Sequence, residues 1–179
     1  MDNKELPGFI ADWLKVTERQ VRQAGQTNSA YLYCHINAPI DKVWSAWTES
    51  KQLSQWFAKV SGEIKVGLER SFDVGAPFQI ASETLKIEPL KIFRFTWSYP
   101  GREVDEVEIR LKADDNMTLL ELEQYSNDRS DWWFGAGAGW ESALIRLDLF
   151  LLGNNPKMIP DDKFDELLGP LWITAGQSK

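Results

Sequence analysis

The 179 residues contain one cysteine, Cys34, and one histidine, His35. A lone cysteine excludes an intramolecular disulfide, and a lone histidine leaves too few ligands for an ordinary zinc site. No run of about 18 consecutive apolar residues occurs, which excludes a helical membrane span. Basic residues are outnumbered, 20 against 27, giving a formal charge of −7. No local basic cluster offsets that balance, so nucleic acid and anionic membrane surfaces are not expected partners. The opening segment MDNKELPGFIADWLK carries acids and no long apolar stretch, unlike a secretory leader, so a cytoplasmic location is expected. No cofactor and no metal are expected from this inventory.

Aromatic residues, by contrast, are plentiful. Nine Trp and nine Phe bury about 150–250 Å² each when enclosed, so they must dominate a core or line a cavity. Apolar spacing at Leu6, Phe9, Ile10, Trp13 and Leu14 predicts a helix over roughly residues 5–24, ended by Gly25. Residues 30–36 alternate as a strand. Pro39 opens a helix carrying Val43, Trp44 and Trp47, and a second short helix follows with Leu53, Trp56 and Phe57. From Val60 to Tyr125 the period becomes two, with strands expected at 60–66, 69–75, 78–88, 91–99, 103–112 and 117–126. A long helix from Trp133 to Leu152 carries a stripe of Ala136, Trp140, Ala143, Leu144, Leu147 and Leu151. A short helix is expected at 161–168. Strands with one dry face need a cover, and the long helix is the obvious one. The fold class is therefore α+β, a curved antiparallel sheet of six to seven strands wrapped around a long C-terminal helix.

The block Ile36-Asn37-Ala38-Pro39-Ile40-Asp41-Lys42-Val43-Trp44-Ser45-Ala46-Trp47-Thr48, followed by Leu53 and Trp56, resembles the opening of the AHSA1-like family. These are relatives of the activator of Hsp90 ATPase within the START-like (SRPBCC, helix-grip, Bet v1-like) superfamily. Ile87-Glu88-Pro89 leading to Phe93-Arg94-Phe95-Thr96-Trp97, and Gly139-Trp140, agree with it. The resemblance covers residues 30–152 and implies the same element order. Residues 1–29 stand as an N-terminal helical extension, and 153–179 as a tail packing on the domain or on a partner.

The resemblance also implies a ligand cavity between sheet and long helix. Its candidate lining residues are Trp56, Phe72, Phe93, Phe95, Trp97, Leu120, Leu122, Ala136, Trp140 and Leu144; no catalytic residue is assigned. The run Phe134-Gly135-Ala136-Gly137-Ala138-Gly139 admits two explanations. Either the glycines leave volume for a ligand, or they let the helix approach its neighbours beneath bulky indoles; each costs a helix about 1 kcal/mol relative to Ala. An empty ~300 Å³ dry cavity would extrapolate to roughly 7 kcal/mol, so a core filled by the indoles stays open as an answer. His35 reads as a surface strand residue and Cys34 as a buried, inert thiol. Glu103, Asp105, Glu106 and Glu108 read as a solvated strand face. Glu141 is placed by the helix dipole, Arg94 points outward, and Asp131 caps the long helix.

Three functions follow. Non-catalytic binding of a small apolar or aromatic ligand ranks first. A stress-response or Hsp90-type chaperone-associated role ranks second, disfavoured because only 29 residues precede the domain. A cyclase- or aromatase-like enzyme ranks third, for which a polar pair such as Tyr125 with Glu141 would have to meet in a pocket. Apolar groups in both extensions, notably Phe9, Trp13, Phe164 and Trp172, are expected to pack on their own domain or across a homodimer.

Overall fold

A computed structural model describes residues 4–127 and 132–177, with the side chains of 132 and 133 outside the description. The order is α1 (Leu6–Val16), β1 (Glu18–Ala24), β2 (Thr27–Ile36), α2 (Ile40–Thr48), α3 (Ser50–Trp56), β3 (Lys59–Ser61), β4 (Glu69–Asp73), β5 (Ile80–Glu88), β6 (Ile92–Trp97), β7 (Asp105–Asp114), β8 (Met117–Ser126), α4 (Trp132–Leu151) and α5 (Asp161–Gln177). Among the described residues eight strands form one sheet in the order β1-β2-β8-β7-β6-β5-β4-β3, every pair antiparallel. Helix α4 lies along its concave face. The expected α+β helix-grip architecture is the observed one.

Period-two alternation explains why the sheet curls around α4. Register aligns Leu32, Leu122, Ile109 and Phe93 in one inward row, and Cys34, Leu120 and Leu111 in the next. All of these side chains are buried. On α4, Trp140, Ala143, Leu144 and Leu147 meet them. No helix among the described residues is long and apolar enough to cross a membrane.

Three expectations need correction. Residues 5–24 are not one helix: Thr17 is extended (φ −81°, ψ 125°) and residues 18–24 form an edge strand paired with β2. The apolar positions that predicted the helix all fall inside α1, whereas β1 carries only Val21 and Ala24 and owes its form to pairing. The sheet thus has eight strands rather than six or seven, and its first strand belongs to the supposed extension. The strand expected at 60–66 is only Lys59–Ser61. The tail helix runs to Gln177, past Pro170, instead of stopping at 168. An interior proline removes one backbone donor, and burial of Phe164, Leu168 and Trp172 against α4 and its surroundings outweighs that loss. The Asp131 cap lies outside the described residues.

Candidate functional site: a filled aromatic interior and an end cleft

Alternation along β6 turns Phe93, Phe95 and Trp97 inward, β4 adds Phe72, α2 and α3 add Trp47, Trp56 and Phe57, and α4 adds Trp140. Their rings touch. Trp97 and Trp140 have centroids 5.0 Å apart, Phe57 stacks on Trp140 at 5.5 Å, and Phe72 meets Trp97 at 5.3 Å. Trp47 meets Trp56 edge-on at 4.8 Å. Such stacked and edge-to-face pairs are favourable beyond the area they bury. Of the ten cavity candidates, Trp56, Phe72, Phe93, Phe95, Trp97, Leu120, Leu122, Trp140 and Leu144 are buried members of this core. The tenth, Ala136, is half-exposed and lies elsewhere.

Ala136 lines a cleft of about 990 Å³ at one end of the sheet, between the first turns of α4, the β6–β7 connection and the end of β8. Phe78, Tyr99 and Phe134 stand on its walls, and Asp105, Gln124 and Ser126 on its floor. Here the inward rows change character. The row of Ala30, Gln124, Val107 and Phe95 has one polar member. The next carries Asn28, Ser126 and Asp105 before it meets Trp97. Gln124 is fixed from both sides: its carbonyl accepts Trp140 Nε1–H, and its amide donates to Asp105 Oδ2 at 2.6 Å. That chain locks the Trp140 indole against the ring cluster and leaves a polar floor under apolar walls. A smaller depression of about 670 Å³ lies beside Trp56, Lys59, Arg146 and Lys157.

A family model described as "Activator of Hsp90 ATPase homolog 1-like protein" matches residues 37–151. The chain belongs to that family. Its fold is shared with CalU16 of Micromonospora echinospora, at 29% identity and TM-score 0.73, over 89% of this chain and 97% of that one. DynU16, a protein in the dynemicin biosynthetic locus, is 25% identical with a TM-score of 0.67, over 72% of this chain and 49% of that one. The Aha1 dimer of Colwellia psychrerythraea shares the fold at 21% identity and TM-score 0.62, over 69% of this chain and 95% of that one. No curated protein matches.

Around the AHSA1-like core, buried charge is met group by group. Glu141 is fully buried and accepts from Trp13 Nε1 at 3.1 Å, Trp172 Nε1 at 3.0 Å and Arg19 Nε at 2.7 Å, with Arg19 Nη2 on its other oxygen. The helix dipole does not account for its position; one carboxylate ties α1, β1 and α5 to α4. Asp148 takes Asn37 N at 2.7 Å and Nδ2 at 2.8 Å. Burial pushes its carboxyl up, an effect those two bonds partly oppose. On the outer sheet face, burial alone would raise Glu123, but Ser29, Tyr125, Arg22 and Arg110 outweigh it and hold the carboxyl below its ordinary value. Tyr125 therefore bonds Glu123 at 2.8 Å, and the Tyr125–Glu141 pair that an enzyme reading required is not formed.

Other side chains also differ from expectation. Asp105 is separated from the outward acids, being buried on the inner face, while Glu106 and Glu108 do face outward and pair with Arg94. His35 is half-exposed on the outer side, with Asp114 3.9 Å away. Cys34 is fully buried, and burial first, then Asp148 and Glu141, push its thiol well up. A thiol so placed forms little thiolate. Ellman's reagent is expected to leave Cys34 untouched in native protein at pH 8 and to titrate it fully in denaturant; rapid native labelling would contradict this burial.

Sequence reasoning passed over Arg70. Its signal was parity with Phe72, which places both on the inner face of β4. Arg70 is 4% exposed, donates through Nη1 to Thr84 Oγ1, and lies 5.1–5.2 Å from the rings of Phe72, Phe93 and Phe95. Burial lowers its guanidinium to about 10, so it stays charged at neutral pH.

Proposed function

We propose that this AHSA1-like chain binds a small aromatic or apolar molecule, without chemical conversion, in the cleft at the end of the sheet. One observation carries the reading: a cleft of about 990 Å³ with aromatic walls and a polar floor, between sheet and α4, beside a core of touching rings. Pockets for small ligands combine apolar walls with a few fixed polar groups, and the Asp105–Gln124–Trp140 chain supplies fixed polar groups here. The origin of DynU16 in a biosynthetic locus supports a small-molecule role. Catalysis has less to stand on, since the floor couples a carboxylate to an amide rather than to a second acid or a base.

Calorimetric titration with 2-naphthol tests the reading. Ala136→Trp should obstruct the α4 side of the cleft and weaken the signal strongly, and Phe78→Ala should weaken binding about tenfold, close to the worth of one aromatic contact. Lys157→Ala, in the other depression, should change nothing. Equal binding by wild type and Ala136→Trp would place the ligand elsewhere.

A further inference from the structure

The α4 wall of the cleft, formed by Phe134, Gly135 and Ala136, is supported by a helix that does not itself line the cleft. Two close contacts join that stretch of α4 to α5. At Gly137 the missing side chain admits the Trp172 indole, which occupies the space a Cβ would take. In the second contact the roles are exchanged, with the ring on α4 and the glycine on α5. A Cβ on Gly169 would lie 3.1 Å from Cε2 of Phe134 and 3.6 Å from its Cζ. On α4 the ring and the glycine are Phe134 and Gly137; on α5 they are Trp172 and Gly169. At this spacing both groups sit on one face of their helix, about a turn apart.

The two contacts differ in stiffness. Trp172 is fully buried and donates to Glu141 at 3.0 Å, so its indole cannot yield. Phe134 keeps 41% of its surface exposed; its ring rests on α5 and also faces the cleft. Carbon atoms pack best at about 3.5–4.0 Å, so a methyl group at position 169 would push that ring off its seat by about 0.4 Å. A larger side chain would displace it altogether. No residue of Asp161–Gln177 lines the cleft, and α5 lies outside the family match, which ends at residue 151.

We propose that α5 positions the ligand site, with Gly169 as the positioning residue that seats the Phe134 ring as a cleft wall. Ligand binding and α5 docking are then linked. A ligand that needs the ring in its seat binds the docked helix better, and so stabilises the docking by mass action. This rests on the small-ligand reading above and adds to it an element that touches no ligand.

Gly169 has a second reason to be glycine. It precedes Pro170, whose ring crowds a Cβ on the preceding helical residue. The test therefore takes Pro170→Ala, at an exposed position, as the parent for the other variants of the full chain. In calorimetric titrations with 2-naphthol, Gly169→Ala should weaken binding about threefold and Gly169→Leu about tenfold, the latter close to the worth of one aromatic contact. Phe134→Ala should cost the same as Gly169→Leu, and combining the two should cost nothing more, since no ring is left to displace. In wild type, saturating 2-naphthol should slow amide exchange severalfold along residues 161–177. Unchanged affinity in the Gly169 variants would overturn the positioning role and leave the small-ligand reading standing. So would a further loss when Gly169→Leu is added to Phe134→Ala, or exchange in α5 that ignores the ligand. Should Gly169→Leu fail to fold, Gly169→Ala and the exchange measurement decide. Absence of 2-naphthol binding by wild type would remove both readings.

Discussion

Glu141→Ala is expected to cost about 3–5 kcal/mol, the penalty for stripping one partner from a buried, hydrogen-bonded ion pair. The substitution leaves Arg19 facing a void and removes the acceptor of two indoles, Trp13 and Trp172. Those donors belong to β1, α1 and α5, so the loss should concentrate at the two ends of the chain. Urea denaturation would give the magnitude. Amide exchange would give the location: protection should fall along residues 6–24 and 161–177 while β7 and β8 retain theirs. Uniform loss across the sheet, or a change under about 1 kcal/mol as for a surface ion pair, would show that Glu141 is not the tie between the extensions and the core.

Gly137→Ala and Gly139→Ala, two residues apart on α4, should have opposite effects. A Cβ at Gly137 would overlap the indole of Trp172, whereas at Gly139 nothing lies within 4 Å. Overpacking of this kind costs about 1–3 kcal/mol, and here the obstacle is a fully buried ring that also donates to Glu141. At Gly139 the substitution should stabilise by up to about 1 kcal/mol through helix propensity. Thermal melts of the two variants decide it; equal shifts of the same sign would contradict the close approach of α4 to Trp172. At Gly137, then, the glycine admits an indole from α5. Gly135 is the one of the three that lines the cleft.

The parts of the fold readable in the sequence were those in which local pattern and burial coincide. Val107, Ile109 and Leu111 alternate with Glu106, Glu108 and Arg110, and β7 emerges within two residues of the expected bounds because one of its faces is dry and the other carries ion pairs. β1 gives no such pattern, since residues 18–24 hold only Val21 and Ala24 as apolar groups; pairing with β2 decides its form. Helix α4 reads as a single apolar stripe, yet Glu141, Ile145, Asp148 and Leu149 are buried as well. The sheet covers one side of the helix while α5 and the N-terminal segment cover another. A one-sided reading therefore placed Glu141 at a helix end rather than at the junction of three elements.

The site was legible in its ingredients more than in its location. Phe93, Phe95, Trp97 and Trp140 do gather between sheet and helix, where they meet the rings of Trp47, Trp56, Phe57 and Phe72. The larger opening lies one row further out, where Gln124, Ser126 and Asp105 interrupt the apolar rows. Single polar residues within alternating strands were the available clue, and Arg70 beside Phe72 was another of the same kind.

Chemical-shift mapping with 2-naphthol on ¹⁵N-labelled protein puts the central idea at most direct risk. Perturbed amides should cluster at Gly101, Asn127, Gly135 and Ala136, around the end cleft, with Lys59, Gly75 and Lys157 silent. Shifts confined to the latter group, or no shifts at ligand concentrations of several millimolar, would contradict a ligand site between the sheet and the first turns of α4.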